Sequence, residues 1–198
     1  MNDLYHAINE DDILSEKEYI GEIIENLDFC KIDLEEVAFK GCSFISCDLT
    51  GCAFKQVQFE QCDFSNCIWK NGYFRDVVFL ECKCDGNDFS QSSLTRTRFT
   101  MGSYHYANFS VTHWDDSTIT ESEFGDAFFS EAKFKRITLD QVNLTRADFF
   151  KTILKGVDLS TCLIDGISVS DTFRELRGVK INAEQAVVIA QMLGVKFV

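Results

Sequence analysis

The side chains of this 198-residue chain that could do chemistry are nine cysteines, three histidines and a large excess of carboxylates. Cys42, Cys62 and Cys82 are evenly spaced, and thiols brought together at that interval could form a bridge or help to hold zinc. His6, His105 and His113 could act as bases if a nucleophile stood beside one of them. Carboxylates recur at the same interval or its multiples, at Asp28, Asp48, Asp88 and Asp148. Which of these chemistries is open depends on the elements that carry the residues, and the spacing itself points to those elements.

From Ile24 to Ile164 every fifth residue is a large apolar side chain or a cysteine. A helix repeats every 3.6 residues and a strand every 2, so neither holds that register. Fifteen of the 19 phenylalanines fall on the repeated position, so the aromatic content is committed to one structural line. The residue two before each centre is small or modest: Cys42, Cys47, Cys52, Val57, Cys62 and Gly72, then Asn87, Ser92, Thr97 and Ala107. The other three positions are mostly polar. A chain with two inward positions of unequal size and three outward ones turns a corner once per unit. Four such sides close a square coil of about 20 residues, and coils stack at roughly 4.8 Å. A single coil cannot bury its centre, so stacking supplies the stability.

The period also decides the thiol chemistry. Cys42, Cys47, Cys52, Cys62, Cys67, Cys82 and Cys162 occupy the small inward slot, Cys84 is a centre, and only Cys30 lies outward. A buried free cysteine behaves as a small hydrophobe, and packing is the expected role, with no disulfide and no metal. His105 follows the centre Tyr104 and His113 precedes the centre Trp114, so both point outward without a matched nucleophile. There is no glycine-rich phosphate loop, and a filled solenoid has no concave site where groups converge. The expectation is a non-enzymatic protein with no catalytic residues and no cofactor.

Units such as Cys52-Ala-Phe54-Lys-Gln and Ala147-Asp-Phe149-Phe-Lys resemble the pentapeptide-repeat family. The resemblance covers about three quarters of the chain and implies an all-β fold, a right-handed quadrilateral β-helix of about seven coils, roughly 35 Å long. The expected organisation is a lead-in and cap over 1–23, the repeat over 24–168, and a C-terminal helical cap over 169–198. In that last segment Asn182 is a good N-cap with Gln185 three residues on, and Gly194 suits the position past the helix end. Val188, Ile189, Met192 and Leu193 give it apolar faces, which fit either a lid over the last coil or a lid that also pairs two subunits.

The net charge of −13 disfavours direct nucleic-acid binding, which needs clustered Lys and Arg. Residues 1–40 carry twelve acids against three lysines, so the acidity is concentrated toward one end. Stacked one coil apart, Asp28, Asp48, Ile68, Asp88, Asn108, Phe128 and Asp148 form an acidic stripe with two apolar interruptions. The neighbouring column, Glu35, Lys55, Arg75, Thr95, Asp115, Lys135 and Lys155, is mostly basic. Corner acids Asp116, Glu121, Asp126 and Glu131 ring one coil, and no Lys or Arg occurs from Phe99 through Ala132. Such acids serve solubility in the plain reading, or present phosphate-like charge to a basic DNA-binding groove in the functional one.

Three stretches are similar to the Qnr quinolone-resistance subgroup: Tyr19-Ile-Gly-Glu-Ile-Ile-Glu-Asn-Leu-Asp-Phe29, Tyr106-Ala-Asn-Phe109-Ser, and Leu176-Arg-Gly-Val-Lys-Ile-Asn-Ala-Glu-Gln. That resemblance implies a DNA mimic that binds DNA gyrase and topoisomerase IV, relieves quinolone poisoning, and pairs tail to tail as a homodimer. Qnr proteins of Gram-negative bacteria also carry loops that interrupt the coil, whereas the register here leaves no room for an insertion. The alternative is a scaffold for another partner, using Ile68, Tyr73, Val78, Leu80, Phe128, Phe150 and Ile153. No apolar run approaches the ~18 residues of a membrane span, and the N-terminus lacks the marks of a signal peptide, so a cytoplasmic location is expected.

Overall fold

The computed structural model describes Leu4, residues 13–64 and residues 67–196. Apart from Leu4, the polar tail expected before the lead-in strand, His6 included, lies outside the described residues. The chain forms a parallel β-solenoid of about six turns closed by one C-terminal helix. The seventh expected coil is present but stacks through isolated bridges, Asn143 to Leu163 and Asp148 to Ser168, instead of through strands.

Each coil has four walls, and the register between coils is constant along the strand ladders, with each centre facing the centre one coil on. The first wall stacks Leu14, Leu34, Phe54, Phe74, Leu94, Trp114 and Phe134. The second stacks Tyr19, Phe39, Phe59, Phe79, Phe99, Ile119 and Leu139. The ladder therefore reaches back beyond Ile24 into the lead-in segment, to Leu14 and Tyr19. Walls three and four hold mostly single-residue bridges.

Stacked centres fill the axis. Rings one coil apart lie nearly parallel, as in Phe79 and Phe99 (4.9 Å, 2°) and Phe89 and Phe109 (4.8 Å, 6°). Rings on different walls meet edge to face, as in Phe59 and Phe64 (5.1 Å, 88°). Both are favoured aromatic geometries, and each ring removes a large apolar area from water. Where the ring needs the space, the small inward slot shrinks to glycine. A Cβ on Gly72 would lie 2.7 Å from the Phe74 ring, and one on Gly102 2.6 Å from the Tyr104 ring.

The corner residue two after a centre takes a left-handed backbone at almost every described corner, at Asn26, Asn71, Val111 and Arg146 as well as at Gly51, Gly86 and Gly166. Its N–H then points along the rod to the next coil, as Asn71 N–H does to the Ser90 carbonyl at 3.0 Å. Asn and Gly take this conformation at low cost, and a β-branched residue such as Val111 does not.

At the far end, Ala183–Met192 is helical. Asn182 and Gln185 form the reciprocal capping box, and the Gln185 side-chain amide donates to the Leu159 and Cys162 carbonyls at 2.7 Å each, tying the helix to the last coil.

Candidate functional site

The acidic stripe lies on the fourth wall as a single column. Bridges join Asp28 to Asp48, Asp48 to Ile68, Ile68 to Asp88, Asp88 to Asn108, Asn108 to Phe128 and Phe128 to Asp148. Each aspartate occupies the position before its centre and accepts the N–H two residues on: Cys30 for Asp28, Thr50 for Asp48, Ser90 for Asp88 (2.9 Å each), and Phe150 for Asp148 at 3.0 Å. Aspartate at this slot is thus a corner-closing residue, a role the charge pattern did not reveal. The same bond restrains the side-chain rotamer; the Cys30 thiol also donates to Asp48, and the Asn108 side-chain amide donates to the same Asp88 oxygen at 3.1 Å. Asp148 is more committed, with Ser130 and Ser168 hydroxyls donating to it. The two bonds from Cys30, thiol and backbone N–H, hold the Asp28 carboxyl below the usual carboxylate range.

The corner acids Asp116, Glu121, Asp126 and Glu131 each have a left-handed backbone, and most of them are paired with a cation. Asp126 is gripped by both ends of the Arg146 guanidinium at 2.7 and 2.6 Å, and these bonds depress its pKa. Glu131 pairs with Lys151 at 3.1 Å, and Asp116 lies 3.9 Å from Arg136. Only Glu121 lacks an ion-pair partner among the described residues. The gap in Lys and Arg between Phe99 and Ala132 is real in the sequence, yet the coil below supplies the cations. The neighbouring column is likewise self-compensating, with Lys55 on Glu35 and Lys135 on Asp115.

Two members of the apolar set are less available than expected. Val78 and Leu80 are half-buried on the second-wall strand that carries Phe79. Ile68, Tyr73, Phe128, Phe150 and Ile153 are exposed, and so are Tyr106 and Met101.

All nine cysteines are free. In the inward slot the thiols do more than fill space. Cys42, Cys47, Cys62, Cys67 and Cys82 each direct Sγ at a carbonyl of the preceding coil at 3.4 Å, and Cys52 does so at 2.9 Å. Ser92 and Ser117 make the equivalent bond in later coils, to Trp69 and Leu94. Burial pushes the Cys52 thiol up to about 12. Burial also pushes Cys30 up to about 12, helped by the Asp28 and Asp48 carboxylates, so thiolate chemistry is suppressed at both. No group of three His, Cys, Asp or Glu is disposed to hold a metal among the described residues. His105 is half-buried with Nδ1 3.3 Å from the Gly125 carbonyl oxygen, and His113 is exposed on the first wall.

The helix divides the four dimer candidates. Ile189 and Met192 pack against the core, Val188 lines a cleft between helix and last coil, and Leu193 is 57 % exposed. Val187 on the helix and Val195 beyond the C-cap Leu193 are exposed as well, a division between buried and exposed apolar residues that the sequence did not make.

Two family models match the chain: "Pentapeptide repeat region" over residues 52–129, and "Pentapeptide repeats (8 copies)" over residues 28–71 and 127–166. The chain belongs to the pentapeptide-repeat family. No protein of curated function matches the sequence of this pentapeptide-repeat protein. Among solved structures it is similar to trypsin-treated QnrB1, a plasmid-mediated fluoroquinolone resistance protein, at 20 % identity, covering 94 % of this chain and 99 % of that one, with a TM-score of 0.41. It is also similar to HetL, a pentapeptide repeat protein involved in heterocyst differentiation regulation from the cyanobacterium Nostoc sp. strain PCC 7120. That match is 9 % identical and covers 91 % and 94 % of the two chains at a TM-score of 0.35. No helix of the described residues is long and apolar enough to cross a membrane.

Proposed function

We propose that this protein is a non-enzymatic, cytoplasmic DNA mimic that binds type II topoisomerase, DNA gyrase or topoisomerase IV, and modulates it or protects it from quinolones. The observation that carries the reading is the fourth-wall column. Asp28, Asp48 and Asp88 stack in register, and local N–H bonds hold their carboxylates in place. Carboxylates fixed before binding lose little entropy on complex formation, and a net charge of −13 accelerates encounter with a basic groove. Resemblance of the Tyr19–Phe29 and Leu176–Gln185 stretches to the Qnr subgroup supports the same reading. Asp48 and Asp88 are the leading contact residues. Asp116, Asp126 and Glu131 contribute less, because neighbouring cations neutralise them.

A second reading has its own observation. Ile68 and Phe128 interrupt the same column at 42 % and 45 % exposure, which phosphate mimicry does not require. A scaffold that grips an apolar partner through Ile68, Tyr73 and Phe128 would use them. The two are separated by gyrase supercoiling in the presence of a quinolone. Mimicry predicts dose-dependent recovery of supercoiled product on adding purified protein, and recovery that survives Phe128→Ser. No effect of folded protein over a wide concentration range removes the proposal and leaves the scaffold.

Exposed apolar side chains at this end, Val187 on the helix with Leu193 and Val195 past its last residue, support a homodimer as part of this proposal. Leu193→Asp with Val187→Asp is expected to shift the sedimenting species from dimer to monomer without changing the circular dichroism. Identical sedimentation of both proteins would reduce the helix to a lid.

A further inference from the structure

The five-residue period runs unbroken through Leu154 and Leu159, yet the coil carrying them parts from the coil above on two walls. In earlier coils the first wall is laced on both sides, as by Lys133 N–H to the Thr112 carbonyl (2.8 Å) and Arg96 N–H to the Asp115 carbonyl (2.9 Å). Among the described residues, no such bond joins 132–136 to 153–155. The strand Lys133–Asp140 pairs only with His113–Thr120 and offers its other edge open. The lower coil keeps its downward bonds instead, Leu154 N–H to the Glu175 carbonyl at 2.9 Å and Gly156 N–H to the Gly178 carbonyl at 2.8 Å. Walls three and four stay joined, through Leu163 N–H to the Val142 carbonyl and Ser168 N–H to the Ala147 carbonyl. A cleft of about 540 Å3 opens at the seam, with Phe134 and Ile153 as its apolar surfaces and Lys133, Lys151 and Lys155 around it.

Phe134 is only half-buried, unlike Trp114 above it, and Ile153 is 54 % exposed. Lys151 is occupied by Glu131, but Lys133 and Lys155 have no acidic partner among the described residues. On a chain of net charge −13, unpaired lysines beside an open strand edge are the local exception. An exposed edge is a template for another strand, with backbone bonds giving affinity and alternate side chains giving selectivity. We infer that this seam takes an extended acidic segment of a protein partner, which adds as a strand along the open edge at 133–136. Apolar side chains of the segment pack on Phe134 and Ile153, and its carboxylates meet Lys133 and Lys155. The site is distinct from the fourth-wall column, so it stands or falls separately from topoisomerase binding.

The test uses the full chain and a short fluorescein-labelled peptide of alternating valine and glutamate, read by anisotropy. Saturable binding is expected, about tenfold or more weaker with Lys133→Glu/Lys155→Glu protein, and also with a peptide carrying proline at its centre. Amides of Phe134 and Arg136 should exchange readily in the free protein and become protected by the peptide. The inference is overturned by no saturable binding to folded protein, or by equal binding of the proline peptide or of a valine–lysine peptide. It is overturned as well by self-association that the double variant abolishes, which would make a second copy the occupant.

Discussion

Val111 shows what the fold demands of single residues. It sits at a corner with φ 60°, a backbone that a β-branched side chain adopts only under strain, and its side chain is 45 % exposed, so packing does not repay the cost. Val111→Gly is expected to stabilise the protein by about 1 kcal/mol, seen as a higher urea midpoint at unchanged m-value. A lower midpoint would mean that the side chain makes a contact the strain argument omits. Residue roles were legible in the sequence wherever the period assigns them. The inward cysteines were found at once, because their slot is small and regular. Their bonds to carbonyls of the preceding coil were not, since those depend on the stagger between coils. Nor was the corner-closing role of Asp28, Asp48, Asp88 and Asp148, because a column of charge and a column of turn residues have the same spacing.

At the scale of elements, the last coil is the place where pattern and structure part. The sequence repeats through Ile164, but the segment that follows returns to the coil above with a longer offset, Gly156 pairing with Gly178, so two walls are drawn away from Lys133–Asp140. Glu175 holds that arrangement. It is 2 % exposed and accepts from the Lys151 N–H at 2.9 Å and the Ser170 hydroxyl at 2.9 Å. Burial works to raise its pKa, and the hydrogen bonds outweigh that and hold the carboxyl below its ordinary 4.5. A carboxyl with a depressed native pKa adds stability that is complete above the unfolded value, near 4.5, and is lost as pH falls through the native one. Glu175→Ala is therefore expected to cost about 2–3 kcal/mol at neutral pH and to speed exchange of the Lys151 and Leu154 amides, with the difference from wild type shrinking in acid. A pH-independent difference would assign the loss to packing. The sequence hid this element because a five-residue period records what faces the axis and says nothing of how far successive coils stand apart.

Across the whole molecule, the candidate function lies in what the outer walls of the rod present. Charges that look segregated along the chain meet their opposites one coil away, as Asp126 does with Arg146 and Glu131 with Lys151. Among the described residues, the fourth-wall aspartates Asp28, Asp48 and Asp88 and the corner acid Glu121 have no cationic partner, whereas Glu18 and Glu35 of the acidic N-terminal region pair with Lys40 and Lys55. The four-walled solenoid was legible from composition and spacing. The distribution of net charge over its surface was not, because it requires knowing which residues face each other across neighbouring coils and how their side chains reach.

The claim that these aspartates stand in for phosphates is tested most directly by titrating gyrase against the wild-type protein and against Asp48→Lys/Asp88→Lys, after both are shown by circular dichroism to be folded under the assay conditions. Saturable binding that weakens as salt rises, and that falls by about tenfold or more in the double variant, is the predicted result. Equal affinity of the two proteins, or no binding by either, would contradict it.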